Sequence, residues 1–235
     1  METISLHHKA ADLIYQKPGL ILVLERLGIF LGVQDKTLEE LCGEHNINPT
    51  VVLALCQMHI DDNYTPANHM HINDIQLIIN YLTVSHTYYT EELYPLINES
   101  IQAMAEKSAS PSIQMVKKFF MDYRSEADNH FDYENNTAFP YILALYKQTE
   151  EPSTGVNSEY SVETYRQHHD NIEEKLDDLK QLLIKYLPNS NCHQLRRNVI
   201  LYLHRLDRDL KTHARIENDI LIPLVKHLEE KLSQK

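Results

Sequence analysis

The chain has 235 residues, 43% of them hydrophobic and only 5 of them glycine, so it can build a sizeable core but carries little of the turn punctuation a sheet protein needs. Its net charge of −12 divides into −5 over residues 1–70 and −7 over the remainder; neither part offers the basic face that nucleic-acid phosphates require, and the excess of carboxylates reads as a solubility device. Cys42, Cys56 and Cys192 are odd in number and far apart, which argues against a disulfide framework or a cysteine zinc site and suits a reducing compartment.

The opening METISLHHKAADLIYQK holds no apolar core of signal-peptide length. The most apolar run, PGLILVLERLGIFLGV, is interrupted by Glu25 and Arg26 and so does not span a membrane. The expectation is a soluble, cytoplasmic protein. Residues 1–65 read as a small helical N-terminal domain. GLILVLERLGI is an amphipathic helix ending near Gly28. TLEELCGEH begins on Thr37 with Glu40 three residues on, a capping box. INPTVVLALCQMH opens on Asn48 and Pro49, a cap and first-turn pair. DDNYTPANHMHIN, polar and without periodicity, reads as a linker.

Four long helical stretches follow, at about 74–106, 112–148, 159–187 and 193–232, separated by the polar loops KSASPS, TEEPSTGVNS and PNSNCH. Long amphipathic helices on short connections predict an all-α protein whose residues 72–232 form an antiparallel four-helix bundle. The third stretch shows its seam most clearly, as Val162, Tyr165, His169, Ile172, Leu176, Leu179, Leu183 and Tyr186. The first gives Ile75, Ile79, Leu82, His86, Tyr89, Leu93 and Leu96. The second gives Val116, Phe120, Tyr123, Ala127, His130, Glu134, Tyr141 and Leu145. The fourth gives Leu195, Val199, Tyr202, Leu206, Leu210, His213, Glu217, Ile220 and Leu224.

Four histidines and two glutamates thus occupy seam positions that aliphatic residues should hold. Unpartnered, each costs several kcal/mol to bury, and a metal is the common explanation. His130 with Glu134, and His213 with Glu217, each set an imidazole and a carboxylate one turn apart on one helix face. Such a donor set suits iron, manganese or zinc. The repeat strengthens the case. His86 to His130 and His169 to His213 are both 44 residues. HFDYENNTAFPY and HARIENDILIPL share Glu at +4, Asn at +5 and Pro at +10 from the histidine, with an acid, Glu126 or Asp209, four residues before it. Two half-sites of one design predict a pseudo-two-fold dinuclear centre. Each metal takes two histidines, the glutamates bridge, and open positions remain for a small ligand.

Phase selects His169 over His168, which lies one position off the seam; a supporting role around the metals stays open for His168. Glu126 is read either as a solvated charge or as a relay or orienting carboxylate, and Asp209 and Asp170 have the same alternatives. Tyr89, Tyr123 and Tyr202 are core aromatics by default, with a hydroxyl near the metals open to Tyr89. His204 is off the seam and reads as solvated. His7, His8, His45, His59, His69 and His71 read as surface residues.

The order His … His-x-x-x-Glu … His … His-x-x-x-Glu, the ENN and END tails and the following prolines resemble the hemerythrin-like (HHE) domain over roughly residues 72–232. QHHDNIEEKL and SHTYYTEELYPL look like its single-histidine helices, and PGLILVLERLGIFLG with TLEELCGEHNINPTVVLAL is similar to the small domain preceding the bundle in the repair-of-iron-centres (RIC) branch. That resemblance implies two iron ions, oxo- or hydroxo- and carboxylate-bridged, held by His86, His130, Glu134, His169, His213 and Glu217. It implies protection or repair of iron–sulfur client proteins under nitrosative or oxidative stress, through nitric oxide or dioxygen at the iron; a homodimer is compatible with it. The alternative is a hemerythrin-like sensor or carrier of dioxygen, nitric oxide or iron without turnover, ranked lower because four seam histidines are present where five would favour reversible oxygen binding. A DNA-binding regulator, suggested by the helix–turn–helix look of residues 37–55, conflicts with the −5 charge of residues 1–70 that contain it; protein docking suits it better. The branch commonly carries a Cys-Cys pair after the first helix. Here Phe30-Leu31-Gly32-Val33 stands there, so thiol chemistry is not expected, and Cys42 and Cys56 read as small core residues.

Overall fold

Capping chemistry sets the short N-terminal helices in the computed structural model, which describes residues 3–66, 70–108, 110–150, 160–167, 172–188 and 191–233. Helix α1 spans Ala10–Gln16. Helix α2, Leu20–Arg26, is followed by Gly28 at φ +79°, a left-handed position that glycine tolerates. Helix α3, Leu38–His45, starts on the predicted box: Glu40 N–H donates to Thr37 Oγ1 (3.2 Å) and Thr37 N–H to Glu40 Oε2 (2.8 Å). Helix α4, Pro49–Ile60, starts on Asn48, whose Oδ1 accepts from Thr50 N–H at 3.0 Å. The other half of that amide donates to Asp74 Oδ1 at 2.8 Å, tying α4 to the 3₁₀ turn Ile72–Asp74. Arg26 is buried with its guanidinium over the Tyr81 ring, 5.5 Å from the centroid. Cys42, Cys56 and Cys192 are buried and unbridged. Burial pushes the Cys56 thiol up to about 12 and raises that of Cys42 as well, so both are inert thiols packed among apolar side chains.

The remaining helices are α5 (Ile75–Thr87), α6 (Tyr94–Lys107), α7 (Pro111–Tyr133), α8 (Phe139–Glu150), α9 (Val162–Gln167), α10 (Ile172–Gln181), α11 (His193–Ile216) and α12 (Ile222–Ser233). Four π turns interrupt the predicted long stretches: Tyr88–Leu93, Glu134–Ala138, Leu182–Tyr186 and Glu217–Leu221. The residue after each turn bonds five positions back, as Tyr94 to Tyr89, Phe139 to Glu134, Leu187 to Leu182 and Ile222 to Glu217. A proline stands two residues past every one of them: Pro95, Pro140, Pro188 and Pro223. A proline ring clashes with the carbonyl four residues back and offers it no N–H. Those carbonyls belong to Glu91, Asn136, Ile184 and Asp219; at Pro95, Pro140 and Pro223, where the helix continues, the widened turns relieve the clash, whereas before Pro188 the helix ends on the extended residue Leu187.

A π turn adds one residue to the helix, and near three of them single predicted seam positions give way to the next residue, while Leu145 and Leu224 stay buried as read. Leu96, Tyr186 and Tyr141, read as seam residues, are respectively exposed, exposed and half-buried. Their neighbours Ile97, Leu187 and Ile142 are buried instead. On α11 the half-buried Tyr202 likewise yields to Leu203.

The described residues are helical throughout, with one isolated bridge between Lys9 and Thr37 and no strand. No described helix is long and apolar enough to cross a membrane. The chain partitions into two compact units. The first comprises Met1–Val84, Tyr141–Val162 and Thr212–Lys235; in it α2 and α3 pack on α4, and α12 meets the 3₁₀ turn. The second comprises Ser85–Pro140 and Glu163–Lys211, where α6 and α10 both pack on α7. There Lys180 is buried between Asp177 (2.6 Å) and Asp207 (2.9 Å).

Candidate metal centre

Glu134 opens the second π turn and is wholly buried. Tyr165 on α9 donates its hydroxyl to Glu134 Oε1 at 3.0 Å, and His130, one turn earlier on α7, sets Nε2 3.3 Å from the same oxygen. The other oxygen, Oε2, lies 3.2 Å from His86 Nε2 yet accepts no hydrogen bond among the described residues, because that approach is poorly aligned.

His86 ends α5 with its ring stacked on Phe131 (centroids 4.4 Å apart, 18° between planes) and on Phe139 (5.9 Å, 6°). Its Nδ1 faces Asn135 Oδ1 at 3.0 Å. An amide oxygen only accepts, so Nδ1 carries a proton, and Nε2 is left on the side of the ring nearest Glu134. A carboxylate buried in a dry interior calls for a cation beside it, either a proton on the neighbouring ring or a metal ion. Thr90 Oγ1 donates to the His86 carbonyl at 2.9 Å, satisfying a backbone acceptor at the mouth of the first π turn.

His213 ends the same kind of construction. Its Nε2 lies 3.4 Å from Glu217 Oε1, both side chains are buried, and Glu217 opens the π turn that follows α11. His86, Glu134 and His213 each offer one ligand atom, and these atoms lie within 4.8 Å of one another; the group could hold a metal ion.

Of the six expected ligands, His86, His130, Glu134, His213 and Glu217 are thus placed in buried or largely buried imidazole–carboxylate pairs. His169 lies outside the described residues, as do His168 and Asp170. Glu126 is half exposed, and its carboxylate is taken by the Lys175 ammonium; this is the solvated-charge reading. Asp209 is buried on α11, Tyr89 is buried with its ring 5.7 Å from that of Phe131, and His204 is exposed.

The sequence reading passed over Asn135 as a ligand orienter, and Tyr165 appeared there only as a seam aromatic. The signal for Asn135 was the shared Asn at +5, but the two copies act differently. Asn218 is exposed and donates to the Ala214 carbonyl of its own helix at 2.9 Å. Asn135→Ala is therefore expected to weaken metal binding by roughly 10- to 100-fold, the usual effect of losing a partner that orients a ligand. Asn218→Ala should leave it within about twofold on the same argument. Titration of the stripped protein with ferrous iron measures both.

No protein-family model matches the chain, and no curated protein matches it.

Proposed function

We propose that this chain is a cytoplasmic non-haem di-iron protein of hemerythrin-like four-helix architecture that acts in the nitrosative and oxidative stress response by protecting or repairing iron–sulfur proteins. The observation that carries the metal reading is the buried His86, Glu134 and His213 group, in which the wholly buried Glu134 carboxylate sets Oε2 3.2 Å from His86 Nε2. Iron is favoured over zinc and manganese by the resemblance of the His-x-x-x-Glu repeat; the imidazole–carboxylate donor set accepts all three. The bundle reading is supported by four long helical stretches, 75–107, 111–150, 162–186 (with 168–171 outside the described residues) and 193–233. The residues themselves bind and orient: Asn135 fixes the His86 tautomer, Tyr165 holds the Glu134 carboxylate, and Phe131 and Phe139 exclude water from the imidazole. Iron held there would supply one-electron chemistry and open positions for nitric oxide or dioxygen.

Protein purified without chelator should contain close to two iron atoms per chain. Iron near zero would sink the proposal. Reduced protein exposed to nitric oxide or dioxygen should change its visible spectrum. A spectrum that returns on removing the gas favours the sensor or carrier reading, and one that does not return favours turnover.

A further inference from the structure

We propose that Arg215 clamps the end of α4 onto the helical turn that carries His213 and Glu217, so that docking of residues 58–64 and metal retention at that half-site reinforce each other. The inference rests on the metal reading above. Arg215 lies two residues after His213 and two before Glu217. At 100° per residue it projects from roughly the opposite side of the turn from that pair. Its Nη1 donates to the carbonyls of Met58 (3.2 Å) and Asp61 (3.4 Å), and its Nη2 to that of Tyr64.

These acceptors have few alternatives. Met58 belongs to the last turn of α4, whose carbonyls run out of helical donors. A cation there also complements the helix dipole. Asp61 and Tyr64 form the following turn, with Tyr64 N–H on Asp61 O at 3.2 Å. Three carbonyls converging on one guanidinium use its fixed fork of donors, a geometry a lysine ammonium does not reproduce. The stretch that reads in sequence as a linker is thus fastened at its start to the metal-bearing turn. An ion held by His213 and Glu217 fixes that turn, and with it the seat of residues 58–64. By linkage, the seated segment stabilises the turn in its metal-binding form to the same extent.

The N-terminal helices keep other ties, Asn48 to Asp74 and Arg26 to Tyr81, so losing the clamp should loosen residues 58–64 without unfolding the chain. The test is hydrogen exchange at amides 58–64 together with iron release to a chelator, on the full chain, iron-loaded and iron-stripped. In the wild type, stripping should speed exchange at 58–64 by roughly fivefold or more. Arg215→Ala should exchange quickly even when loaded and release iron roughly five- to tenfold faster. Arg215→Lys, which keeps the charge but not the fork, should fall between, and it carries the test if the alanine variant does not fold. Wild-type release rates in the variants, or exchange at 58–64 indifferent to iron, overturn the clamp alone. A wild-type chain that binds no iron overturns the metal reading and the coupling with it.

Discussion

Glu134→Gln is expected to purify with no more than half the iron of the wild type, while its metal-free form melts no lower than the metal-free wild type. Glutamine has the same shape and keeps an oxygen to accept the Tyr165 hydroxyl. Its amide stands where Oε2 stood, 3.2 Å from His86 Nε2. The change takes a carboxylate charge out of a fully buried position, which offsets the loss of the His86 and His130 contacts in the metal-free chain. The metal loses its anionic ligand at the point where the His86 and His130 imidazoles converge. The opposed signs are the diagnostic. A carboxylate kept only for stability would cost several kcal/mol on neutralisation, as breaking a buried ion pair does. Wild-type iron content in the variant, or a marked fall in melting temperature of the metal-free form, would show that Glu134 is structural. Calorimetry and metal analysis on the same preparation read both.

What could be read in the sequence divides by the range of the interaction. The Thr37–Glu40 box, the Asn48 cap and the Gly28 stop are local, and each stands where the residues put it. The extents of the long helical stretches were legible because periodicity and polar loops act over a few turns. Around the π turns Leu96, Tyr141 and Tyr186 were read as seam residues where Ile97, Ile142 and Leu187 are buried, while Leu145 and Leu224, past turns of the same kind, are buried as read. The prolines two residues past the turns were the available signal, because a proline inside an apolar helical pattern demands some relief of its clash.

The placement of the imidazole–carboxylate pairs followed from the same periodicity, since His130 with Glu134 and His213 with Glu217 are four apart and so share a helix face. Their supports were not legible. Asn135 meets His86 across 49 residues, Tyr165 meets Glu134 across 31, and Arg215 reaches Tyr64 across 151. Periodicity tells which face a residue occupies. It does not tell which partner waits there, and only the packed structure supplies that.

Two histidines of α11 test the helix phase. His213→Ala is expected to empty the half-site it shares with Glu217 and lower iron by about one atom per chain, an effect of losing one of four or so ligands. His204→Ala should leave iron content unchanged and stability within about ±0.5 kcal/mol, the ordinary effect of a surface substitution. The two residues are nine apart, or roughly 900° around a helix, which puts them on opposite faces. His213 is buried against Glu217 at 3.4 Å, whereas His204 is exposed. In the metal-free state His213→Ala leaves a cavity and removes an imidazole 3.4 Å from a buried carboxylate, so a loss of about 2–4 kcal/mol is expected there too. Metal analysis separates that loss from ligation, because a merely structural histidine would lower stability while the surviving folded protein kept its iron. Iron lost from His204→Ala and retained by His213→Ala would mean that the helix turns the other way, and every ligand assigned by the seam would have to be reassigned with it.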